Sequence, residues 1–158
     1  MPVPYRYEKG GMSKKAKTIV NYGLPIIETH FHLDYLKAAP ADDILAAARA
    51  IGVARFMSLS VEPDNMPGVL ALAEQFDDVY ATLGVHPHEA EKFSDDTAAY
   101  IATHVVHDKV IAVGEIGLDY FYDHADRAVQ RRVFARQLQL AVESELPVVI
   151  HTREADDD

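Results

Sequence analysis

From Pro25 onward the chain alternates short apolar runs with longer stretches in which apolar residues recur every three or four positions. The short runs predict strands at Ile26–Thr29, Val53–Val61, Val79–Val85, Val110–Gly114 and Pro147–Ile150. The longer stretches predict helices between them. Residues 40–51 put Ile44, Leu45, Ala48 and Ile51 on one stripe, with Asp42 and Asp43 in the first turn and Gly52 as the stop. A second helix, capped by Asp64 or Asn65 with Pro67 in its first turn, faces Val69, Leu70, Ala73 and Phe76 inward. Ser94, with Asp95 and Asp96, opens a third whose apolar face holds Tyr100, Ile101 and Val105. Residues 126–144 form the longest. Val129, Val133, Phe134, Leu138, Ala141 and Val142 share one side of it, and Arg127, Arg131, Arg132 and Arg136 lie on the solvent face.

Each strand-plus-helix unit runs to about 30 residues, the size of a βαβ crossover, so the sheet is expected to be parallel. Two architectures fit: a doubly wound open sheet, or the first part of a (β/α)8 barrel. No helical stretch follows Ile150 to cover the last strand, although parallel sheets are normally buried on both faces. The expectation is therefore an α/β chain of parallel β-α repeats, a TIM-type barrel truncated after about five strands and occupying residues 25–158. Residues 1–24 show no periodicity, contain Pro2, Pro4 and a Gly10-Gly11 pair, and are expected to form a flexible extension. That extension is basic, with Arg6, Lys9, Lys14, Lys15 and Lys17 against Glu8.

Composition narrows the function. At 158 residues and 49% hydrophobic, the chain can bury a core of its own. It has no cysteine, which excludes disulfides and thiolate metal sites and fits a reducing, cytoplasmic setting. No apolar run approaches the roughly 20 residues of a membrane span, and no membrane association is expected. The net charge of -10 argues against a protein that coats nucleic acid through a broad basic face. A nucleic-acid enzyme remains compatible, because bound divalent cations reverse the local sign where phosphate must sit.

Four residues suggest such cations. His30 and His32 are two apart near the end of the first strand, so their side chains share a face. Glu115 ends the fourth strand and His151 the fifth. In parallel α/β folds, sites gather at the carboxyl ends of strands. A histidine satisfied within the core explains any one of these positions, but poorly explains the set. Glu115 has two oxygens and can bridge two ions, and such a pair can activate water and clamp a phosphoryl oxygen. Histidine with carboxylate suits Zn, Mn or Fe, whereas Mg prefers more oxygen. Around these lie weaker candidates for substrate contact. His86 and His88 end the third strand, where Pro87 also shapes a loop. Asp119 and Tyr120 either line the pocket or anchor its loop, and Arg153 either grips phosphate or forms a surface salt bridge.

The segments Glu28-Thr-His-Phe-His-Leu-Asp34, Gly84-Val-His-Pro-His88, Gly114-Glu-Ile-Gly-Leu-Asp-Tyr120 and Pro147-Val-Val-Ile-His-Thr-Arg-Glu154 occur in this order. Together they resemble the TatD family of metal-dependent hydrolases, from about Pro25 to the last residue. The resemblance implies a TIM-type barrel and hydrolysis of phosphodiester bonds in DNA, as a 3′–5′ exonuclease acting on DNA 3′ ends. It implies two divalent metal ions (Mg, Mn or Zn), one held by His30, His32 and Glu115, the other by Glu115 and His151. It also implies that a further His ligand and the catalytic Asp come from strands beyond Asp158, so the catalytic residue is unknown within this sequence. Family members usually begin the first motif with Asp, where this chain has Glu28. Many related binuclear amidohydrolases bridge their metals with a modified Lys at the place of Glu115, which favours the nuclease branch. Other amidohydrolase-like reactions and D-aminoacyl-tRNA deacylation stay open as alternatives. So does an inactive fragment, or a subunit completed by a partner. No obligate protein partner is evident, and an exposed edge on the fifth strand invites self-association.

Overall fold

A computed structural model describes residues 23–158. The expected basic extension therefore lies outside the described residues, apart from Gly23 and Leu24. Five strands, β1 (Ile26–Phe31), β2 (Val53–Leu59), β3 (Val79–Leu83), β4 (Val110–Asp119) and β5 (Val148–Arg153), alternate with four helices. These are α1 (Ala41–Ala50), α2 (Met66–Gln75), α3 (Asp95–His104) and α4 (Arg127–Ser144). All strand pairs are parallel, and the spatial order is β1-β2-β3-β4-β5. A doubly wound sheet would reverse its strand order at a switch point. Here each strand lies beside its predecessor, and the sheet is a curled half-barrel, the first five strands of a TIM-type barrel.

The core lies between sheet and helices. Leu45, Phe56, Met66, Val69, Val79, Leu83, Ile101, Val113, Ile116 and Leu140 are all buried in one cluster. Burying such side chains stabilises by about 1.5–3 kcal/mol each. Ser94 caps α3 as expected, in a reciprocal box with Thr97. Asn65 precedes α2, but its side chain does not cap that helix. Its Oδ1 instead accepts from Val61 and Glu62 N–H, holding the turn that leaves β2.

β1 lies at one edge of the sheet, with Ile27 62% exposed. Two strand expectations change. The fourth does not stop before Glu115 but runs ten residues to Asp119, flanked by β3 and β5 and buried nearly throughout. The fifth continues past Ile150 to Arg153, so His151 and Arg153 both stand in the strand.

The face of α4 is also rotated from the expected one. Val142 is 78% exposed, whereas Gln130 and Gln137, seven residues apart and so on one face, are buried. Gln137 accepts from Val85 N–H at 2.7 Å and donates to Val85 C=O at 3.0 Å. Gln130 accepts from Asp119 N–H at 2.8 Å and donates to the carbonyls of Asp119 and Ala125. Each amide thus satisfies backbone groups just past β3 or at the end of β4, where no ladder partner serves them. Those strand ends carry the site.

Candidate metal centre

The expected ligands converge at one rim of the half-barrel. Glu115, buried at 5% exposure, points its carboxylate between two sets of imidazoles. Its Oε2 lies 3.4 Å from His30 Nε2 and 3.8 Å from His32 Nε2. Its Oε1 lies 3.4 Å from His151 Nδ1 and 3.9 Å from His86 Nε2. One carboxylate oxygen therefore faces the β1 histidines and the other faces β5.

Hydrogen bonds behind the ligands decide which ring nitrogen is free. His32 Nδ1 lies 3.1 Å from the Leu59 carbonyl, which can only accept, so Nδ1 carries the proton and Nε2 offers its lone pair toward Glu115. His151 is arranged the other way round. Its Nε2 donates to Asp119 Oδ2 at 3.0 Å, leaving the Nδ1 lone pair directed at Glu115. Asp119 is fully buried, and its second oxygen accepts the N–H groups of Phe121 and Tyr122. Burial pushes its pKa up, but the Tyr122 N–H, His88 and His151 outweigh this and hold the carboxyl well below the usual range.

His86 differs. Its Nδ1 accepts the backbone N–H of His88 at 3.2 Å, so the ring proton sits on Nε2, the atom nearest Glu115. Although His86, Glu115 and His151 are close enough to share an ion, a protonated nitrogen cannot ligate one. The tautomer makes His86 a hydrogen-bond donor into the site. Burial, with His151 and His88 beside it, pushes its pKa down to about 3, which keeps the ring neutral at physiological pH.

The donor chemistry fits divalent cations. The separations of Glu115 from His30, His32 and His151, 3.4–3.8 Å, are longer than typical hydrogen bonds. They match ligands that share an ion at roughly 2.0–2.2 Å from each. Two buried carboxylates, Glu115 and Asp119, have no Lys or Arg partner among the described residues, and a cation would balance that charge.

The other candidates scatter more widely. His88 Nε2 donates to Asp119 Oδ2 at 2.8 Å, so it supports His151 from behind while lining the same cleft of about 320 Å³. Arg153 also lines the cleft and forms no carboxylate pair among the described residues; its guanidinium lies over Phe121 and Tyr122. Tyr120 turns away. Its ring packs with Leu118 and Ala155 and its hydroxyl donates to Asp158. Tyr35 and Tyr122, which the sequence reading passed over, line the cleft instead. Glu28 accepts the backbone N–H of His30 at 3.1 Å, so it braces the His-x-His segment without reaching the ligand cluster.

Comparison with known proteins identifies the family. The profile of the TatD related DNase family matches residues 27–158, nearly all of the described chain. The chain belongs to the TatD family. Its relatives include the metal-dependent hydrolase YabD of Bacillus subtilis, 32% identical over 134 residues, covering 84% of this chain and 52% of that protein. The 3′-5′ ssDNA/RNA exonuclease TatD of Cronobacter sakazakii is 34% identical, covering 84% of this chain and 48% of that one. The crystal structure of the TatD homologue YjjV from Escherichia coli superposes with a TM-score of 0.74 at 38% identity, covering 83% of this chain and 52% of its own. The chain thus spans about half the length of the curated relatives it matches. Relatives within this family are named metal-dependent hydrolases or exonucleases. Among the described residues no helix is long and apolar enough to cross a membrane.

Proposed function

We propose that this chain carries the amino-terminal part of a two-metal phosphodiesterase that removes nucleotides from the 3′ ends of single-stranded DNA in the cytoplasm. The observation that carries this reading is the orientation of Glu115, whose two oxygens face different histidines, His30 and His32 on one side and His151 on the other. A carboxylate so placed suits two ions rather than one. Divalent ions held there would supply Lewis acidity toward a phosphoryl oxygen. The naming of relatives as 3′-5′ ssDNA/RNA exonucleases supports the substrate class.

The chain's own residues then have separable tasks. His32 and His151 present lone pairs fixed by Leu59 C=O and by Asp119. His86 offers an Nε2–H to a non-bridging phosphate oxygen. Asp119 is occupied by four hydrogen bonds, so it does not serve as the base for the attacking water.

The test is degradation of a 3′-labelled single-stranded oligonucleotide with Mg²⁺ or Mn²⁺, with D-aminoacyl-tRNA assayed in parallel, using the protein extended to the length of its relatives. Glu115→Ala is expected to abolish release of 3′ nucleotides and to reduce bound metal. Undiminished turnover in that variant overturns the assignment.

A further inference from the structure

Beside the metal centre the protein builds an aromatic surface that nothing above uses. Phe121 and Tyr122 follow β4 with only Tyr120 between, and their backbone N–H groups are both held by Asp119 Oδ1, at 3.0 and 2.8 Å. The segment is therefore fixed to the same carboxylate that orients His151. Yet both rings are 50% exposed, although large aromatic side chains are ordinarily turned inward. On the neighbouring strand Arg153 pairs in register with Asp119, and its guanidinium lies 4.0 Å from the Phe121 ring centre and 4.7 Å from that of Tyr122. His124 lies parallel to Tyr122, 5.7 Å away. Tyr122 and Arg153 share the cleft with Glu115 and His151.

We infer that Phe121, Tyr122 and Arg153 form a stacking platform for an unpaired nucleobase next to the phosphate held at the metal centre. This rests on the phosphodiesterase reading and adds to it how the strand is gripped. Aromatic rings and guanidinium planes bind any base through its π-face, which gives affinity without sequence preference. The charge is also right. Lys92 is tied to Glu62 and Glu89 and Arg127 to Asp123, whereas Arg153 has no carboxylate partner among the described residues. A base within a duplex cannot present its face, so the platform selects single strands or frayed ends.

Binding tests this without relying on turnover. The probes are two phosphorothioate-linked single-stranded oligonucleotides in Mn²⁺ buffer, one ending 3′ in 2-aminopurine and the other in an abasic residue. The parent protein is expected to bind the base-bearing probe about tenfold more tightly, as stacking on an aromatic side chain gives. It should also quench the fluorescence of 2-aminopurine. Tyr122→Ala should lose both the preference and the quenching while holding the abasic probe as the parent does, and Tyr122→Phe should keep them. A preference unchanged in Tyr122→Ala and Phe121→Ala overturns the platform and leaves the phosphodiesterase reading standing. Equal weakening toward both probes makes Tyr122 a structural residue and also overturns it. A parent protein that binds neither probe removes the nucleic-acid reading, and the platform with it.

Discussion

Asp119 Oδ2 accepts the Nε2–H of His151 at 3.0 Å, and that hydrogen bond decides which nitrogen of His151 faces Glu115. A carboxylate held ionised can only accept, so the proton is fixed on the far side of the ring. The same oxygen takes a second hydrogen bond from His88, which locks the carboxylate in place.

Asp119→Asn should therefore weaken metal binding by about 10- to 100-fold, the usual effect of losing a group that orients a ligand. The amide oxygen can still accept from Phe121 and Tyr122, so the fold should persist. Titration calorimetry with Mn²⁺ or Zn²⁺ measures the affinity. In parallel, the rise in Tm on adding metal should be smaller for the variant than for the parent.

Gln137→Leu should cost about 2–4 kcal/mol. It leaves the N–H and C=O of Val85 without partners inside the core, at about 1–3 kcal/mol for each group. Urea denaturation followed by circular dichroism gives the difference. A loss below 1 kcal/mol would mean that water or a shifted backbone replaces the amide.

Gly117 has φ +142, and a Cβ there would run into the carbonyl oxygen of His151 on the adjoining strand. Gly117→Ala should destabilise by about 2–4 kcal/mol through strain and clash together. Because the displaced strand is the one that carries His151, metal affinity should fall with stability.

His86 should make the metal-free protein acid-sensitive. Its folded pKa, about 3, lies below the ordinary 6.5, so between those values the unfolded chain binds a proton that the folded one refuses. Stability is then full above about pH 6.5 and declines as pH falls toward 3. The side chain is only 13% exposed, so solvent screening is slight. At pH 5 the loss amounts to about 2 kcal/mol. Denaturation midpoints in EDTA at pH 7 and pH 5 should differ less for His86→Gln than for the parent.

Much of this was legible from local pattern. Strand–helix alternation appears in the spacing of apolar positions, and His30, His32, Glu115 and His151 stand out because ligand-type residues recur at strand ends. The depth of β4 was not legible, since the glycines in Gly114-Glu-Ile-Gly117 read as a strand end. In the structure these glycines allow close contact with β5, and the strand continues to Asp119. Nor were Gln130 and Gln137 recognisable as core residues. A glutamine is polar wherever it stands, and only the position of β3 and β4 beneath α4 makes burying its amide favourable.

Taken alone, the sequence determined the order of the elements, the parallel sheet and the set of candidate metal ligands, because periodicity and ligand chemistry are properties of residues and their spacing. Tertiary structure decided the rest: which oxygen of Glu115 meets which histidine, which nitrogen of each ring is free, and why Tyr120 turns away while Tyr122 lines the cleft. These depend on hydrogen bonds between strands about 30 residues apart in the chain. Such partners are fixed only when the sheet closes and brings their atoms within bonding distance.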